Sequence, residues 1–198
     1  MTPANAPLGD WGGPLYYWQP TLEGSLVWLR PIKTSDFDAL YAIASDPLLW
    51  EQHPVKNRTD RAVFQSWFDD ALTSQALVVI ERSTGLAIGT SRYEVRDRRR
   101  RHVEIGWTFI SRSHWGGAYN SDVKRLMIDH AFGWARVVTL KVHESNLRSL
   151  RAIEKLGAER VRLEPARHGV GSSVVYELTP ATWSAHCSET KLAPRRSK

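Results

Sequence analysis

Cysteine is almost absent from this sequence of 198 residues, which contains only Cys187. A single thiol excludes an intrachain disulfide and a thiolate zinc site, and it is typical of proteins from a reducing cytoplasm. The seven histidines are scattered without the spacing of metal ligands, and we therefore expect no metal. No apolar run approaches the length of a membrane-spanning helix, and no charged and then apolar leader opens the chain. These absences predict a cytoplasmic protein without a membrane partner.

Several enzyme motifs are missing as well. The sequence has no Gly-x-Ser-x-Gly elbow, no phosphate-binding loop that ends in Lys-Ser/Thr, and no Gly-x-Gly-x-x-Gly followed by an acid. Their absence argues against nucleotide hydrolysis and hydride transfer. No internal repeat or low-complexity block is evident, and 198 residues suit a single domain with a substantial core.

Positive charge is the strongest feature of the composition. The net charge is +6, the isoelectric point is near 9.7, and 42% of the residues are hydrophobic. A globular protein of this kind suits an anionic ligand, and nucleic acid is also compatible with it. The densest basic run, at 96–101, falls where a hairpin turn should join two strands. It is either a solvated turn or a phosphate- or RNA-facing patch, and the lack of nearby stacking aromatics counts against a nucleic-acid module.

The stretch 104–158 has the pattern of one functional unit. The predicted elements are a strand at 103–110, a turn at 113–118, an amphipathic helix to about Trp134, a strand at 137–142 and a helix from about Asn146 to Gly157. Glycine lets a backbone approach a ligand, and the first N–H groups of a helix have no internal partners. With the helix dipole, the N–H groups of residues 115–119 can form an anion site. The alternative is a tight strand-to-helix turn and nothing more.

The flanking segments predict further elements. These are strands at 24–30, 76–81, 86–95, 159–163 and 173–178, and a helix from about Thr59 or Asp60 to Leu72. We expect Pro31 to end the first strand, and Ser35 with Asp38 to form a capping box for a first helix. Residues beyond Trp183 are polar and basic, and we expect them to fray.

Several motifs of the 104–158 stretch match those of a known family. Ser113-His114-Trp115-Gly116-Gly117-Ala118 fits a pyrophosphate loop Q/R-x-x-G-x-G/A, except that Ser113 replaces Gln or Arg. Further matches are Leu29-Arg30-Pro31, Glu104-Ile105-Gly106-Trp107, and Asn146-x-x-Ser149 before Glu154-Lys155-Leu156-Gly157-Ala158. The chain thus resembles the GNAT superfamily of acyl-CoA-dependent N-acetyltransferases. The run Trp115-Gly116-Gly117-Ala118-Tyr119-Asn120-Ser121-Asp122 is similar to the RimJ/RimL-like branch.

The resemblance implies an α/β (α+β) architecture, the GNAT acyl-CoA N-acyltransferase fold, in which a mixed, mainly antiparallel sheet is flanked by helices. It also implies acetyl transfer from acetyl-CoA to a primary amine by direct attack on the thioester. The RimJ/RimL-like branch favours the N-terminal amine of a protein or peptide. The alternatives are a small amine, such as a polyamine or aminoglycoside, and a non-catalytic CoA- or RNA-binding protein. A monomer and a homodimer are both compatible.

The resemblance further implies the site residues. Glu104 would take the amine proton, and Ser149 would supply a proton to the departing thiolate, because the usual tyrosine position is Ile153. Desolvation of Glu104 would raise its pKa toward the working range. The residues expected to bind acetyl-CoA are Trp107, Thr108, Phe109, Ile110, His114, Trp115, Gly116, Gly117, Ala118, Tyr119, Asn146 and Ser149. Those expected to contact the acceptor are Trp50, Glu51 and His53.

Each of these roles has a structural alternative. Glu104 can be half-exposed and paired with Arg92 or Arg101. Asn146 can be the N-cap of its own helix, which is compatible with a ligand contact as well. Ser149 can bond to the backbone in the first helical turn, and the loop around Trp50 can simply close the edge of the core.

The first 23 residues are predicted to form an arm before a domain at 24–184, which is followed by a basic tail at 185–198. The arm is rich in proline and glycine, yet it carries four aromatic rings, Trp11, Tyr16, Tyr17 and Trp18. A disordered tail rarely holds so many rings close together. The arm therefore either packs onto the domain or lines an acceptor cleft or a dimer contact.

Overall fold

An eight-stranded mixed sheet forms the centre of this computed structural model, which describes residues 19–168 and 170–192. The strands are β1 Leu22–Glu23, β2 Val27–Pro31, β3 Leu77–Glu81, β4 Ala87–Asp97, β5 His102–Ile110, β6 Val137–His143, β7 Glu159–Pro165 and β8 Ser172–Leu178. Their order in the sheet is β1-β2-β3-β4-β5-β6-β8-β7. Neighbours are antiparallel except for β5 and β6, which are parallel. The predicted mixed, mainly antiparallel sheet is confirmed.

Helices cover both faces of the sheet. In the described residues they are α1 Phe37–Ala44, α2 Arg61–Thr73, α3 Tyr119–Ala131, α4 Leu147–Glu154 and α5 Pro180–Leu192. Short 3-10 turns lie at Thr34–Asp36, Pro47–Trp50, Asn57–Thr59 and Arg112–His114. None of the helices in these segments is long and apolar enough to cross a membrane.

Two hydrophobic cores lie on opposite sides of the sheet, because successive side chains of a strand alternate between its faces. In β3, Leu77 and Val79 belong to one core, and Val78 and Ile80 belong to the other. The first core is completed from the helices by Val123, Met127, Ile128 and Ala131 of α3, Ile153 of α4 and Trp183 of α5. The second is completed by Leu40 and Ala44 of α1 and by Phe64, Phe68 and Ala71 of α2.

Two predictions for the first strand and helix are wrong. β2 begins at Val27 because Asp122 of α3 accepts the N–H groups of Leu26 and Val27, at 2.9 and 3.2 Å, and holds the preceding residues in a turn. Pro31 is the last residue of β2 and does not stop the strand before it. The capping box of Ser35 and Asp38 does not form.

Asp36 instead caps the 3-10 turn Thr34–Asp36, which leads directly into α1. Its carboxylate accepts the backbone N–H of Lys33 at 2.7 Å and is bound by the guanidinium of Arg30 at 2.6 and 2.8 Å. Arg30, six residues away on β2, forms an ion pair with the buried Asp36. This ion pair explains why Asp36, and not Asp38, makes the capping contact before α1.

The two ends of the chain also bear on the predictions. α5 continues to Leu192, so the expectation that residues beyond Trp183 fray is wrong for the part that the structure describes. Contacts of the helix explain this continuation. Trp183 Nε1 donates to Asp129 of α3 at 2.6 Å, the His186 ring stacks on Trp183 with 5.8 Å between centroids, and Cys187 packs against the first core. The four aromatic residues of the predicted arm and residues 193–198 of the predicted tail lie outside the described residues.

Candidate active site

β5 and β6 run parallel but separate soon after they start. In the part of the chain that the structure describes, they pair at three positions only, from His102 with Val137 to Glu104 with Thr139. Beyond Glu104 a cleft with a volume of about 610 Å³ opens between them. Its walls come from the loop between α1 and α2, the second half of β5, the turn after β5, α3, β6 and the start of α4. The separation leaves one edge of β5 without a neighbouring strand.

Trp107 forms a β-bulge in the part of β5 that faces the cleft. Its φ angle is +51°, in the left-handed region that a non-glycine residue rarely adopts. The register with β4 shifts at the same place, between Thr90 and Arg92. A bulge re-aims the backbone and side chains of its strand. The Trp107 ring is held by two guanidinium groups, that of Arg92 at 3.7 Å and that of Arg167 at 4.7 Å from the ring centroid.

Gly116 and Gly117 lie between β5 and α3 and line the cleft. Gly116 has a φ angle of +72°, and a Cβ atom built there would meet no atom within 4 Å. A Cβ atom on Gly117 would meet only Tyr119, at 3.8 Å, so open space lies beside both backbones. The first helical bond of α3 runs from Asp122 N–H to Ala118 O, and the preceding N–H groups have no partner inside the helix. These groups can hold an anion in the open space.

Side chains fix the glycine turn in place. Trp115 Nε1 donates to the last carbonyl group of β5 at 2.8 Å. The Tyr119 hydroxyl donates to Glu81 at 2.7 Å, and its ring meets the His114 ring with 4.7 Å between centroids. His114 and Trp115 line the cleft, whereas Ala118 and Tyr119 do not. Tyr119 therefore supports the turn from outside the cleft.

Asn146 is the N-cap of α4. Its Oδ1 accepts the backbone N–H of Ser149 at 3.1 Å, and the residue is 7% exposed. Among the described residues, neither Asn146 Nδ2 nor the Ser149 hydroxyl has a hydrogen-bond partner. Both residues line the cleft. Asn146 can thus cap its helix with one side-chain atom and donate to a ligand with the other.

Glu104 lies where β5 and β6 part, and it is 4% exposed. Its carboxylate pairs with Arg96 and lies 3.8 Å from the guanidinium of Arg167. The expected alternative partners are wrong: Arg92 pairs with Asp70 of α2 at 2.7 Å, and no ion pair of Arg101 occurs within residues 19–168 and 170–192. Burial raises the pKa of Glu104, and the guanidinium groups of Arg96 and Arg167 oppose this rise. A carboxyl group with a raised pKa is suited to take up a proton.

The comparisons with known proteins place this architecture in a family. Residues 27–159 match the family described as "Acetyltransferase (GNAT) domain", which is about two thirds of the chain. The chain belongs to the GNAT acetyltransferase family. Members of this family use acetyl-CoA, and the protein is an acyltransferase with the GNAT fold that the sequence implied.

Solved structures share the GNAT fold over most of the chain. A GCN5-related N-acetyltransferase from Brucella melitensis has a TM-score of 0.77 and 20% identity, covering 91% of this chain and 88% of the other. RimJ from Mycobacterium smegmatis, solved in complex with CoA-disulfide, has a TM-score of 0.71 and 16% identity, covering 88% and 96%. An acetyltransferase of the GNAT family from Bacillus anthracis has a TM-score of 0.67 and 16% identity, covering 80% and 98%.

Most residues expected at the GNAT site lie around the one cleft. Those that line it are Glu104, Trp107, Thr108, Phe109, Ile110, His114, Trp115, Gly116, Gly117, Asn146 and Ser149, and the acceptor candidates Trp50 and His53. Trp50 also closes the core, because its Nε1 donates to Ala44 O at 2.8 Å and its ring contacts Phe109. Burial lowers the pKa of His53 to about 4, so its imidazole is neutral at pH 7. Glu51 is exposed and does not line the cleft.

Lys124 is a cleft residue that the sequence did not point to. It lies on the core face of α3, lines the cleft and is 6% exposed. Its Nζ donates to Thr108 Oγ1 at 2.7 Å, and burial lowers its pKa to about 7. The available signal was its position three residues before Met127 and seven before Ala131, which are both fully buried. A lysine on a buried helical face is rarely tolerated without a special contact.

Arg58 is a second such residue. It comes from the 3-10 turn Asn57–Thr59, lines the cleft, and lies over the rings of Trp50 and Trp67 at 4.9 and 5.7 Å from their centroids. The sequence around Arg58 did not predict a place in the cleft, because it is a polar loop. Only the tertiary structure brings the two rings to Arg58. Among the described residues, no group of three or more His, Cys, Asp or Glu side chains is placed to hold a metal ion.

Proposed function

We propose that the protein transfers the acetyl group of acetyl-CoA to the N-terminal amine of a peptide or protein. The observation that carries the acetyl-CoA part is the unpaired edge of β5 next to an open glycine turn. A long, partly peptide-like ligand can add to the strand edge with its amide groups, while its phosphates meet the N–H groups at the start of α3. The two features occur in one cleft, as the binding of a single extended molecule requires.

The residues around the cleft fit acetyl-CoA in three ways. A Cβ atom would intrude into the open space at Gly116, which is where the pyrophosphate would bind. The free Nδ2 of Asn146 would donate to a carbonyl oxygen of the pantetheine arm. Trp107, Thr108, Phe109 and Ile110 would present the edge of β5, with the bulge at Trp107 directing backbone groups toward the thioester.

The reaction proceeds by direct attack of the amine on the thioester carbonyl carbon. A C–N bond forms, the C–S bond breaks, and the amine loses one proton. Glu104 takes this proton, directly or through water, because its burial raises the carboxyl pKa. Ser149 passes a proton to the departing thiolate and regains one from solvent water, to which Glu104 releases the proton of the amine. The Ser149 hydroxyl has no other partner among the described residues, and Ile153 cannot donate a proton.

An N-terminal amine is the acceptor best matched to this cleft. Its unperturbed pKa is about 7.7–8.0, so a modest base completes its deprotonation, whereas a lysine amine has a pKa of about 10.4. The motif resemblance to the RimJ/RimL-like branch and the similarity to the RimJ structure support the same acceptor class. A polyamine or aminoglycoside would need several carboxylates, and Glu104 is the only one that lines the cleft among the described residues.

The arginine-rich hairpin does not favour an RNA-binding function. Arg96 is neutralised by Glu94 at 3.2 Å and by Glu104, and Arg100 lies 3.7 Å from Asp97. These two paired guanidinium groups have less charge to offer to phosphates. Arg98, Arg99 and Arg101 form no ion pair among the described residues. Because Arg96 is engaged by Glu104 and the run lacks stacking aromatics, we interpret it as a structural turn, part of which holds Glu104.

The function is tested by an acceptor screen that follows the release of free CoA thiol. The acceptors are a varied set of peptides with free N-termini, the same peptides with acetylated N-termini and an internal lysine, polyamines and aminoglycosides. We expect the free N-terminal peptides to give the highest kcat/KM. Turnover of polyamines or aminoglycosides, with none for any free N-terminal peptide, would overturn the proposal. Binding of acetyl-CoA without turnover of any amine would favour the non-catalytic alternative.

A further inference from the structure

The cleft carries a large excess of positive charge. Glu104 is its one carboxylate among the described residues, whereas seven lysine and arginine side chains line it, namely Arg58, Lys124, Lys141, Arg148, Arg151, Lys155 and Arg167. Some of these cations have partners within the protein: Lys141 pairs with Glu164 at 2.7 Å, and Arg167 pairs with Glu94 at 3.3 Å. The phosphates of acetyl-CoA need cations near the glycine turn, but this need does not account for Arg58 in the loop between α1 and α2.

Arg58 has no counter-ion among the residues that the structure describes. Within residues 19–168 and 170–192, no carboxylate lies within 4.0 Å of its guanidinium, and none of its nitrogen atoms makes a hydrogen bond. Its contacts are the faces of Trp50 and Trp67, which offset only part of the cost of removing a cation from water. Burial accordingly lowers the pKa of Arg58 to about 10, which leaves the side chain charged at neutral pH.

A comparison with Arg61 shows that aromatic stacking does not by itself explain why Arg58 lacks a carboxylate partner among the described residues. Three residues further along, Arg61 lies over the rings of Phe37 and Tyr41 at 4.7 and 5.0 Å from their centroids. It pairs with Asp38 at 3.0 Å and does not line the cleft. Arg61 is thus a stacked guanidinium with its own carboxylate, whereas Arg58 is a stacked guanidinium without one in the described part of the chain.

We propose that Arg58 binds a carboxylate of the acceptor, so that the preferred acceptor is a peptide with a free N-terminal amine followed closely by an acidic residue. This inference rests on the proposed N-acetyltransferase function. A guanidinium presents paired N–H donors that match a carboxylate, and the bond is strongest where water is displaced. The neighbouring acceptor candidates carry no charge at pH 7, since Trp50 is apolar and the His53 imidazole is neutral. Arg58 is therefore the charged side chain that the described part of this loop contributes to the cleft lining.

The test uses matched peptides with an amidated C-terminus and serine at position 1. They differ only at position 2, which is glutamate, glutamine or lysine, and free glutamate is included as an amino acid that carries its own carboxylates. We expect kcat/KM for the glutamate peptide to exceed that for the glutamine peptide about tenfold or more, with the lysine peptide lowest. The ratio should shrink as salt is raised, because part of the attraction is screened.

Three variants assign the preference to Arg58. Arg58→Met retains an unbranched side chain over the two tryptophans, and we expect the glutamate-to-glutamine ratio to fall toward one. Arg58→Lys retains the charge without the paired donors and should give an intermediate ratio, which provides a second measurement if Arg58→Met folds poorly. Arg61→Met is the matched control and should keep the wild-type ratio.

The possible outcomes separate the two proposals. Absence of CoA release with every amine would contradict the proposed function, whatever the charge of the acceptor. Equal kcat/KM for the glutamate and glutamine peptides, or an unchanged ratio in both Arg58 variants, would overturn carboxylate binding by Arg58 and leave the N-acetyltransferase function standing. Turnover of free glutamate above every peptide would overturn the peptide acceptor.

Discussion

Lys124 Nζ donates a hydrogen bond of 2.7 Å to Thr108 Oγ1, and this bond joins the buried face of α3 to the bulged part of β5. Thr108 Oγ1 in turn lies 2.7 Å from Ser91 Oγ on β4. A chain of three polar side chains therefore connects a helix and two strands beside the cleft. Its amine is removed from water without a carboxylate in direct contact among the described residues, so burial lowers its pKa to about 7.

The titration of Lys124 should be visible in the stability of the protein. Below pH 7, the amine is protonated in both the folded and the unfolded chain, and the cost of burying the ammonium group is fully present. Between its folded pKa of about 7 and its ordinary value of 10.5, the unfolded chain binds more protons, so this group makes the free energy of unfolding rise with pH. We expect Lys124→Met to be more stable than the wild type at pH 6, by on the order of 1 kcal/mol, and to lose this advantage by pH 10.

Urea unfolding at pH 6, 8 and 10 measures this difference. Lys56→Met is the control, because Lys56 is exposed and should give the same difference from the wild type at each pH. A Lys124→Met variant whose difference from the wild type does not change with pH would show that the amine is not titrating near neutrality.

Gly116 should be required for the binding of acetyl-CoA because a side chain there would occupy the ligand's space. This effect can be separated from backbone strain. Gly116→Ala places a Cβ atom in a left-handed conformation, at a cost of about 1–2 kcal/mol. Gly85→Ala is matched, because Gly85 has a φ angle of +71° and equally open surroundings in the turn between β3 and β4, away from the cleft. Without ligand, the melting temperatures of both variants should fall by similar amounts. Only Gly116→Ala should also show a smaller rise in melting temperature when acetyl-CoA is added.

Gly117→Val extends this experiment without left-handed strain, because the φ angle of Gly117 is not positive. The nearest atom to a Cβ there belongs to Tyr119 and is 3.8 Å away. It should fold with a melting temperature near that of the wild type and bind acetyl-CoA at least about tenfold more weakly. At one hundred times its dissociation constant, a ligand of the folded state stabilises it by about 2.7 kcal/mol, which a thermal shift detects. Full acetyl-CoA shifts in both Gly116→Ala and Gly117→Val would remove the anion site from this turn.

Two substitutions of Asn146 should distinguish its role in capping α4 from its role in binding acetyl-CoA. Asn146→Ala removes both the cap to Ser149 and the free Nδ2 donor, and it should cost about 1 kcal/mol of stability as well as acetyl-CoA affinity. Asn146→Asp keeps an oxygen for the cap but has no donor, so it should retain stability and still bind acetyl-CoA more weakly. Calorimetric titration with acetyl-CoA gives the affinities. Wild-type affinity in Asn146→Asp would leave Asn146 as a cap alone.

Glu104 should control the acidic limb of the pH–rate profile. Because burial raises its pKa, kcat/KM should increase with pH over a range above the usual titration of a glutamate. Glu104→Gln should lower kcat by about 10²–10⁴-fold and flatten this limb. Glu94→Gln is the control, since Glu94 contacts the same two arginines, Arg96 and Arg167, but does not line the cleft. It should keep the acidic limb and move it to lower pH, because the charge of Glu94 helps to raise the pKa of Glu104. An acidic limb that survives in Glu104→Gln would assign the proton to another group.

Ser149 should act on the departing thiolate more than on binding. Ser149→Ala keeps the backbone N–H that Asn146 caps, so α4 should remain intact. We expect kcat to fall about tenfold or more with little change in the affinity for acetyl-CoA. Ser145→Ala, in the exposed turn before α4, should leave kcat unchanged. A loss of affinity in Ser149→Ala without a loss of kcat would make the hydroxyl a binding group.

The local part of the site was predictable from the sequence because local rules govern it. Short apolar runs mark β5 and β6, the periodicity of apolar residues marks α3, and two glycines before a helix mark the turn that leads into it. Asn146 is followed at the right distance by a helix whose first N–H groups need an acceptor, and it forms the predicted cap. Each of these features depends on residues within a few positions of one another.

The tertiary structure alone decided which charged groups meet. The carboxylate of Asp36 caps the 3-10 turn that leads into the first helix, and the expected pair of Ser35 and Asp38 does not form, because the folded sheet brings Arg30 to Asp36. Glu104 pairs with Arg96 and with Arg167, which is 63 positions further along the chain. It does not pair with the expected Arg92, because Arg92 forms an ion pair with Asp70 of α2.

Burial is the other property that only the assembled fold supplies. Lys124 lines the cleft because the separation of β5 from β6 opens a space against α3. Arg58 is buried at the cleft because it lies over Trp50 and Trp67, which come from separate elements. Glu51 lies outside the cleft although its neighbours Trp50 and His53 line it. Sequence determines the order of the elements through short-range hydrogen bonding and periodicity. The electrostatic environment of each site residue depends on long-range packing, which sets both its distance to other charges and its contact with water.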